Sequence, residues 1–81
     1  MKGIVQGWSK NRHRIAVLTD NGYTVFDIED GQAFIGDIIT GNLDEHGDQA
    51  LTNQTTEQTL SAYIEAIHAS KECAESLLQY K

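Results

Sequence analysis

An Asn-Gly pair between two alternating segments constrains this chain more than any other feature. Asp20, Asn21 and Gly22 separate the segment HRIAVLTD, residues 13–20, from the segment YTVFDI, residues 23–28. Both segments are rich in β-branched or aromatic residues, which favour strands. Asn-Gly tolerates the positive φ angles that a two-residue hairpin turn requires. The sequence therefore predicts an antiparallel hairpin at this point.

Further short strands are predicted on either side of the hairpin. They comprise residues 2–8, 37–43 and 49–54. In the first of them, alternation places Ile4, Gln6 and Trp8 on one face and Val5 on the other. Together with the hairpin, these segments make five short strands, the first three of them in a meander. This pattern favours a small closed barrel, because closure removes exposed strand edges.

The composition changes after residue 54, where apolar residues recur at helical spacing and Gly is absent. One interpretation is a single helix from about residue 57 to residue 79. Thr55 and Gln58 have the spacing of a capping box at the start of such a helix. Under this interpretation the whole C-terminal third packs as one helix on the barrel.

The segment LSAYIEAIH, residues 60–68, also alternates in the manner of a strand. The second interpretation is therefore a sixth strand here, followed by a helix that starts at residue 71. Ser70 is a candidate N-cap for that helix. The pattern alone leaves both interpretations open, and in both of them the last ten residues are helical.

The expected fold is a single α+β domain, residues 1–81, that is mostly β. Residues 2–54 are predicted to form a five-stranded OB-like barrel, and residues 55–81 a mainly helical C-terminal extension. The hydrophobic content of 40% and the charged content of 22% are ordinary for a globular protein. A chain of this length buries only about 60% of its unfolded surface, so modest stability is expected.

Short motifs in the first half of the chain occur in the order seen in a known family. They are Gly3-Ile4-Val5, Trp8, the turn Ser9-Lys10-Asn11, and Val25-Phe26. With these motifs, residues 2–54 resemble an OB-fold barrel of the cold-shock or S1 kind. The segment GDIITG, residues 36–41, is similar to the entry into the fourth strand of S1 domains. The resemblance implies a barrel that binds single-stranded nucleic acid.

The second strand departs from the cold-shock pattern. Ile15, Ala16 and Val17 stand where those domains have Phe-Gly-Phe, whose rings stack on bases. The whole chain also resembles small bacterial proteins with a Gly-Asp-x-Ile-x-Gly-Asn-Leu core. That second resemblance implies no activity.

Positive charge is concentrated at the start of an acidic chain. The net charge is −6, from 12 acidic and 6 basic residues. Lys2, Lys10, Arg12 and Arg14 precede the first acidic residue, Asp20. Such a molecule repels polyanions at long range, yet it presents one cationic edge.

This cationic edge predicts weak, salt-sensitive binding of single-stranded RNA or DNA. Trp8 is the candidate stacking residue, Lys10, Arg12 and Arg14 are the candidate phosphate contacts, and Tyr23 is a second candidate ring. The competing interpretation is that Trp8 belongs to the core and that the cations form a solvated turn.

The acidic balance favours a different function, a small protein-interaction domain. Such a domain would bind a basic or apolar protein partner or associate with itself. The apolar residues of the C-terminal third, among them Leu60, Ile64 and Leu77, are expected to pack mainly on the barrel. Any part of that surface left uncovered would be available to a partner.

The sequence favours neither catalysis nor a cofactor. Cys73 is the single cysteine, so we expect no disulfide within the chain and no zinc site. The cluster DEHGD, residues 44–48, is interpreted as a polar turn, and we expect no metal site there. We identify no nucleophile motif or phosphate-binding loop, so no enzymatic activity is expected. No signal peptide or membrane-spanning segment is predicted, and we expect a cytoplasmic protein without a membrane role.

Overall fold

A computed structural model of the protein describes residues 1–10 and 13–79. Within these residues the chain forms, in order, β1 (Lys2–Trp8), β2 (Arg14–Thr19), β3 (Gly22–Asp30), β4 (Ile38–Thr40), β5 (Gly47–Asn53), β6 (Gln58–Ala69) and α1 (Lys71–Gln79). The strands close into a barrel in the order β1-β2-β3-β6-β5-β4. All pairs of neighbouring strands are antiparallel. The protein is therefore a small, mostly β barrel followed by a helix.

The hairpin predicted at Asn21 and Gly22 is confirmed. Leu18 pairs with Tyr23 and Thr19 pairs with Gly22 across the turn. Gly22 has a φ of 101°, a value that side-chain-bearing residues rarely adopt. The Thr19 hydroxyl donates to the carbonyl oxygen of Gly22 at 2.8 Å and accepts the amide of Asn21 at 3.1 Å. Local turn chemistry therefore sets the register of β2 on β3.

The barrel has six strands rather than the predicted five. Residues 58–69 form β6, which pairs with β3 on one side and β5 on the other. Leu60, Ala62 and Ile64 point into the barrel, while the residues between them are exposed. The interpretation of residues 60–68 as a strand is thus correct, and a single helix from residue 57 is wrong. Pairing on both sides satisfies the backbone of this segment, which the helical spacing of its side chains does not reveal.

The C-terminal helix is shorter than the mainly helical extension predicted for residues 55–81. α1 begins at Lys71, and the hydroxyl of Ser70 accepts the amide of Cys73 at 3.1 Å, which confirms Ser70 as the N-cap. The helix packs on the outer face of β1, β2 and β3, where Ala74 is buried against Ala16 and Val25. The described residues contain no helix that is long and apolar enough to span a bilayer.

The core is divided between the barrel interior and the underside of α1. Interior residues come from every strand and from the connections, and the largest of them are Phe26, Ile15, Ile39, Leu43, Leu51, Leu60 and Ile64. Ala16, Val25 and Ala74 form the smaller cluster beneath the helix. The small residues on the outer face of the sheet let the helix approach closely, and a Cβ on Gly7 would lie 3.2 Å from Cδ1 of Leu78.

Candidate functional site

Trp8 ends β1, and a β-bulge determines the direction of its side chain. Val5 pairs with Val17, whereas Gly7 pairs with Ala16, so Gln6 is an extra residue in the ladder. As a result, Trp8 packs against the interior cluster and is half-buried, while Ile4 remains 45% exposed on the outer face. The prediction that Trp8 shares a face with Ile4 and Gln6 is wrong, because strict alternation does not survive a bulge.

Phe34 lies against Trp8 at this end of the barrel. The two rings form an edge-to-face pair, with centroids 5.8 Å apart and planes inclined at 75°. Phe34 keeps 44% of its surface exposed. The Phe34 ring is therefore accessible to a ligand and is held in place by its contact with the Trp8 ring. Sequence reasoning did not select Phe34, although an apolar Phe34-Ile35 pair in a turn-rich connection was a usable signal.

A buried Asp-Asn pair holds the connection that carries Phe34. A carboxylate oxygen of Asp37 accepts the amide of Phe34 at 3.0 Å and the side-chain amide of Asn53 at 2.7 Å. Asn53 is completely buried, and Asp37 is 8% exposed. The backbone of residues 36–37 also exchanges two hydrogen bonds of 2.9 Å with Val5 of β1. Residues from three separate parts of the chain thus fix Phe34 beside Trp8.

A groove of about 340 Å³ opens beside this aromatic pair. His13 and Phe34 line it, together with Ile28, Glu29 and Asp30 at the end of β3. The amide of Ile28 donates to the carbonyl oxygen of His13 at 2.8 Å, which joins two residues of the lining. The groove therefore combines an aromatic ring with two carboxylates.

The charge of the groove is negative. Asp48 of β5 lies close to Glu29, and repulsion between the two carboxylates is the main reason why the pKa of Glu29 is raised above its ordinary value. Such a pair favours a cation near it and disfavours a phosphate. Among the described residues, no three His, Cys, Asp or Glu side chains are grouped so that they could hold a metal ion.

The guanidinium of Arg14 makes its contacts with carboxylates of neighbouring strands. It contacts both carboxylate oxygens of Asp27 and lies 3.7 Å from a carboxylate oxygen of Glu65. The hydrogen bond that the guanidinium donates to Asp27 is the main reason why the pKa of Arg14 is raised. Only 8% of the residue is exposed. A phosphate would have to displace Asp27 to reach the guanidinium, so the geometry does not favour the predicted phosphate contact at Arg14, which stays a prediction.

The other predicted ligand residues are dispersed. Trp8 and the exposed Lys10 lie at the same edge of the barrel, and Arg12 lies outside the described residues. Tyr23 pairs with Leu18, three residues along β2 from the partner of Trp8, which corresponds to about 10 Å. Tyr23 lines a separate cleft beside α1 and packs against the cluster under that helix. The structure therefore brings Trp8 and Lys10 together, but not Arg14 and Tyr23.

Comparison of the chain with protein-family models, with curated proteins and with solved structures gave no match. The function proposed below is therefore inferred from the geometry and charge of this chain alone.

Proposed function

We propose that the protein is a small interaction domain that binds a positively charged segment of a partner protein. The segment would lie in the groove beside the Trp8–Phe34 pair. The observation that supports this proposal is the combination of an accessible Phe34 ring with Glu29 and Asp30 in one groove. We expect this interaction to take place in the cytoplasm.

The chemistry of the groove suits a Lys or Arg side chain. A cation over an aromatic face gains about 0.5–2 kcal/mol, depending on how far it is desolvated. The carboxylates of Glu29 and Asp30 supply attraction at longer range, and Asp48 strengthens the negative potential at Glu29. The apolar stem of the same ligand side chain can pack on Ile28 and Phe34. A basic segment can therefore satisfy both the charged and the apolar parts of the groove.

A second candidate function is binding of single-stranded nucleic acid, on a barrel that we interpret as OB-like. The observation that favours it is the position of the Trp8–Phe34 pair at the edge that also carries Lys10. Stacking of a base on such a ring is worth about 1–3 kcal/mol. Glu29 and Asp30 oppose it, because they would repel the phosphates that accompany a stacked base. We therefore rank it second.

Trp8 fluorescence can test both functions, since the chain contains a single tryptophan. We would titrate the protein with a short Arg- and Lys-containing peptide and, separately, with an oligothymidine, each at low and high salt. The proposal predicts a change in Trp8 emission with the peptide that weakens at high salt. A response to the oligothymidine alone would establish the second function instead. No response to either ligand at low salt would exclude both functions at this groove.

The matched variants separate local charge from net charge. Replacing Glu29 by Gln and Asp30 by Asn removes two negative charges from the groove. This double substitution should lower the affinity for the peptide about three- to tenfold. The control replaces Asp20 by Asn and Glu75 by Gln, two exposed positions away from the groove. Both double variants change the net charge from −6 to −4. If both double variants lower the affinity equally, peptide binding depends on the overall charge of the protein and not on this groove.

A further inference from the structure

A β-bulge at the end of β3 places two consecutive carboxylates on the outer side of the sheet. Ile28 pairs with Ala62 of β6, whereas Asp30 pairs with Ser61, so Glu29 is an extra residue in the ladder. Ala62 is buried and Ser61 is exposed, and opposed residues of antiparallel strands point to the same face. Without the bulge, alternation would place Asp30 on the inner face with Ile28. Glu29 and Asp30 are instead both exposed, and both line the groove.

Glu29 also belongs to a pair of carboxylates that spans the sheet. Asp27 of β3 and Asp48 of β5 both lie opposite Tyr63 of β6, which is 43% exposed, so these three side chains are on the outer face. Glu29 follows Asp27 by two residues, and its carboxylate approaches that of Asp48 closely enough for a hydrogen bond once one of them is protonated. The acidic lining of the groove therefore continues through Glu29 to a second carboxylate, on β5.

The same side of the sheet carries another pair of carboxylates, and a guanidinium already lies between its members. Arg14 donates to both carboxylate oxygens of Asp27 on β3 and lies 3.7 Å from a carboxylate oxygen of Glu65 on β6. Among the described residues, no Lys, Arg or His side chain forms an ion pair with Glu29 or Asp48. Within that part of the chain, the fold supplies a cation to one pair of carboxylates and leaves the pair at the groove without one.

We propose that the groove selects arginine over lysine in its protein partner, because a guanidinium can bridge Glu29 and Asp48. This inference rests on the function proposed above, and it names the side chain that the groove recognises. The apolar stem of either basic residue packs along Ile28 and Phe34. The difference between the two residues therefore arises at the pair of carboxylates, where the charged group of the ligand lies.

The geometry of the donors is the physical reason for this preference. A guanidinium is planar and carries its N–H donors along more than one edge, so one edge can donate to Glu29 while another donates to Asp48. A lysine ammonium is a compact point charge and is more strongly hydrated, so it loses more when it leaves water. Either cation reduces the repulsion between the two carboxylates, but only the guanidinium makes paired, directed hydrogen bonds to a carboxylate. Its plane can also stack on the Phe34 ring.

Two peptides of identical length and charge test the inference, one with Arg and the other with Lys at every basic position. Calorimetric titration of the full chain at low salt measures the affinity for each peptide without relying on the emission of Trp8. We expect the Arg peptide to bind about three- to fivefold more tightly. Equal affinities, or a tighter Lys peptide, overturn the selection of arginine and leave the proposed function standing. Binding of neither peptide overturns both.

Asp48→Asn tests the bridge, because it removes one carboxylate of the pair and no residue that lines the groove. We expect it to lower the affinity for the Arg peptide about three- to fivefold and that for the Lys peptide less, so that the preference for Arg disappears. The matched control is Asp20→Asn, at an exposed position beside the β2–β3 turn, which removes the same charge and should preserve the preference. Circular dichroism establishes that both variants fold, as expected for exposed residues. A preference that survives Asp48→Asn, or that Asp20→Asn also removes, overturns the bridge.

Discussion

Arg14 of β2 lies directly opposite Asp27 of β3, and its guanidinium donates to both carboxylate oxygens, at 2.6 Å from Nε and 3.0 Å from Nη2. Its remaining nitrogen, Nη1, donates to the carbonyl oxygen of Leu77 at 3.3 Å. The last turn of α1 has no basic residue of its own. Arg14 therefore supplies the cation that the negative end of the helix favours. One buried side chain joins two strands to the helix that covers them.

Replacing Arg14 by Gln should destabilise the protein by about 1–3 kcal/mol. The change leaves Asp27 beside Glu65 without the guanidinium between them and removes the hydrogen bond to the carbonyl oxygen of Leu77. Urea unfolding, followed by circular dichroism, measures the loss. The control is Lys10→Gln, which removes a charge from an exposed loop and should change stability by less than about 0.5 kcal/mol. Similar stabilities of the two variants would show that the Arg14 contacts contribute nothing to folding.

Asn53→Ala should both destabilise the barrel and loosen the aromatic pair. The side-chain amide of Asn53 donates to Asp37, so the variant leaves a buried carboxylate with fewer donors and should cost about 1–3 kcal/mol. Since Asp37 also holds the amide of Phe34, Trp8 should become more exposed. Urea unfolding and a red shift of Trp8 emission measure the two effects. Gln54→Ala, at the adjacent exposed position, should produce neither.

Ser70→Ala should lower the stability by about 1 kcal/mol through loss of the helix N-cap. The Ser70 hydroxyl accepts the amide of Cys73, and Ala offers no acceptor in its place. The matched control is Ser76→Ala, at an exposed position within α1, where Ala is the better helix former and stability should not fall. Thermal unfolding of both variants measures the two changes in stability. An equal loss of stability in the two variants would argue against a capping role for Ser70.

Glu29→Gln should stabilise the protein at neutral pH and lose this effect in acid. Repulsion from Asp48 raises the pKa of Glu29 above its ordinary value of 4.5 in the folded state. A carboxylate whose folded-state pKa is raised opposes folding when it is ionised, and this penalty disappears once the pH falls below its unfolded-state pKa. The variant should therefore unfold at a higher temperature than the wild type at about pH 7, and at a similar temperature at about pH 3.5.

Glu75→Gln, which removes one carboxylate from α1, is the control for the loss of a negative charge. Glu75→Gln should raise the unfolding temperature at neutral pH by less than Glu29→Gln does, because the general self-repulsion of an acidic protein is screened. If Glu29→Gln raises the unfolding temperature as much in acid as at neutral pH, repulsion by Asp48 is ruled out as the cause.

Several parts of the fold were predictable from short stretches of sequence. The hairpin at Asn21 and Gly22 is determined locally, because the turn depends on the positive φ of Gly22 and on the nearby Thr19 hydroxyl. Ser70 as N-cap was equally predictable, since its acceptor lies three residues from the amide that it satisfies. The mostly β class followed from short alternating segments separated by Gly, Asn and Asp.

The candidate site was predictable only in part. The proximity of Trp8 and Lys10 was predictable, because they lie two residues apart in the chain, and their roles in binding stay predictions. Phe34 was missed, because its place beside Trp8 depends on the Asp37–Asn53 pair, whose members lie 16 residues apart. The contacts of Arg14 were not predictable for a related reason. Its basic neighbours suggested a ligand surface, while its actual partners come from β3, β6 and α1.

By itself, the sequence determined the hairpin, the helix cap and the strand-rich class, because each depends on interactions within a few residues. The tertiary structure decided that residues 58–69 close the barrel, that a bulge turns Trp8 inwards, and that Arg14 is buried between carboxylates. Those outcomes depend on which distant strand or helix supplies the partner. Arg14 and Leu77, for example, are 63 residues apart, and only the closed barrel brings them into contact.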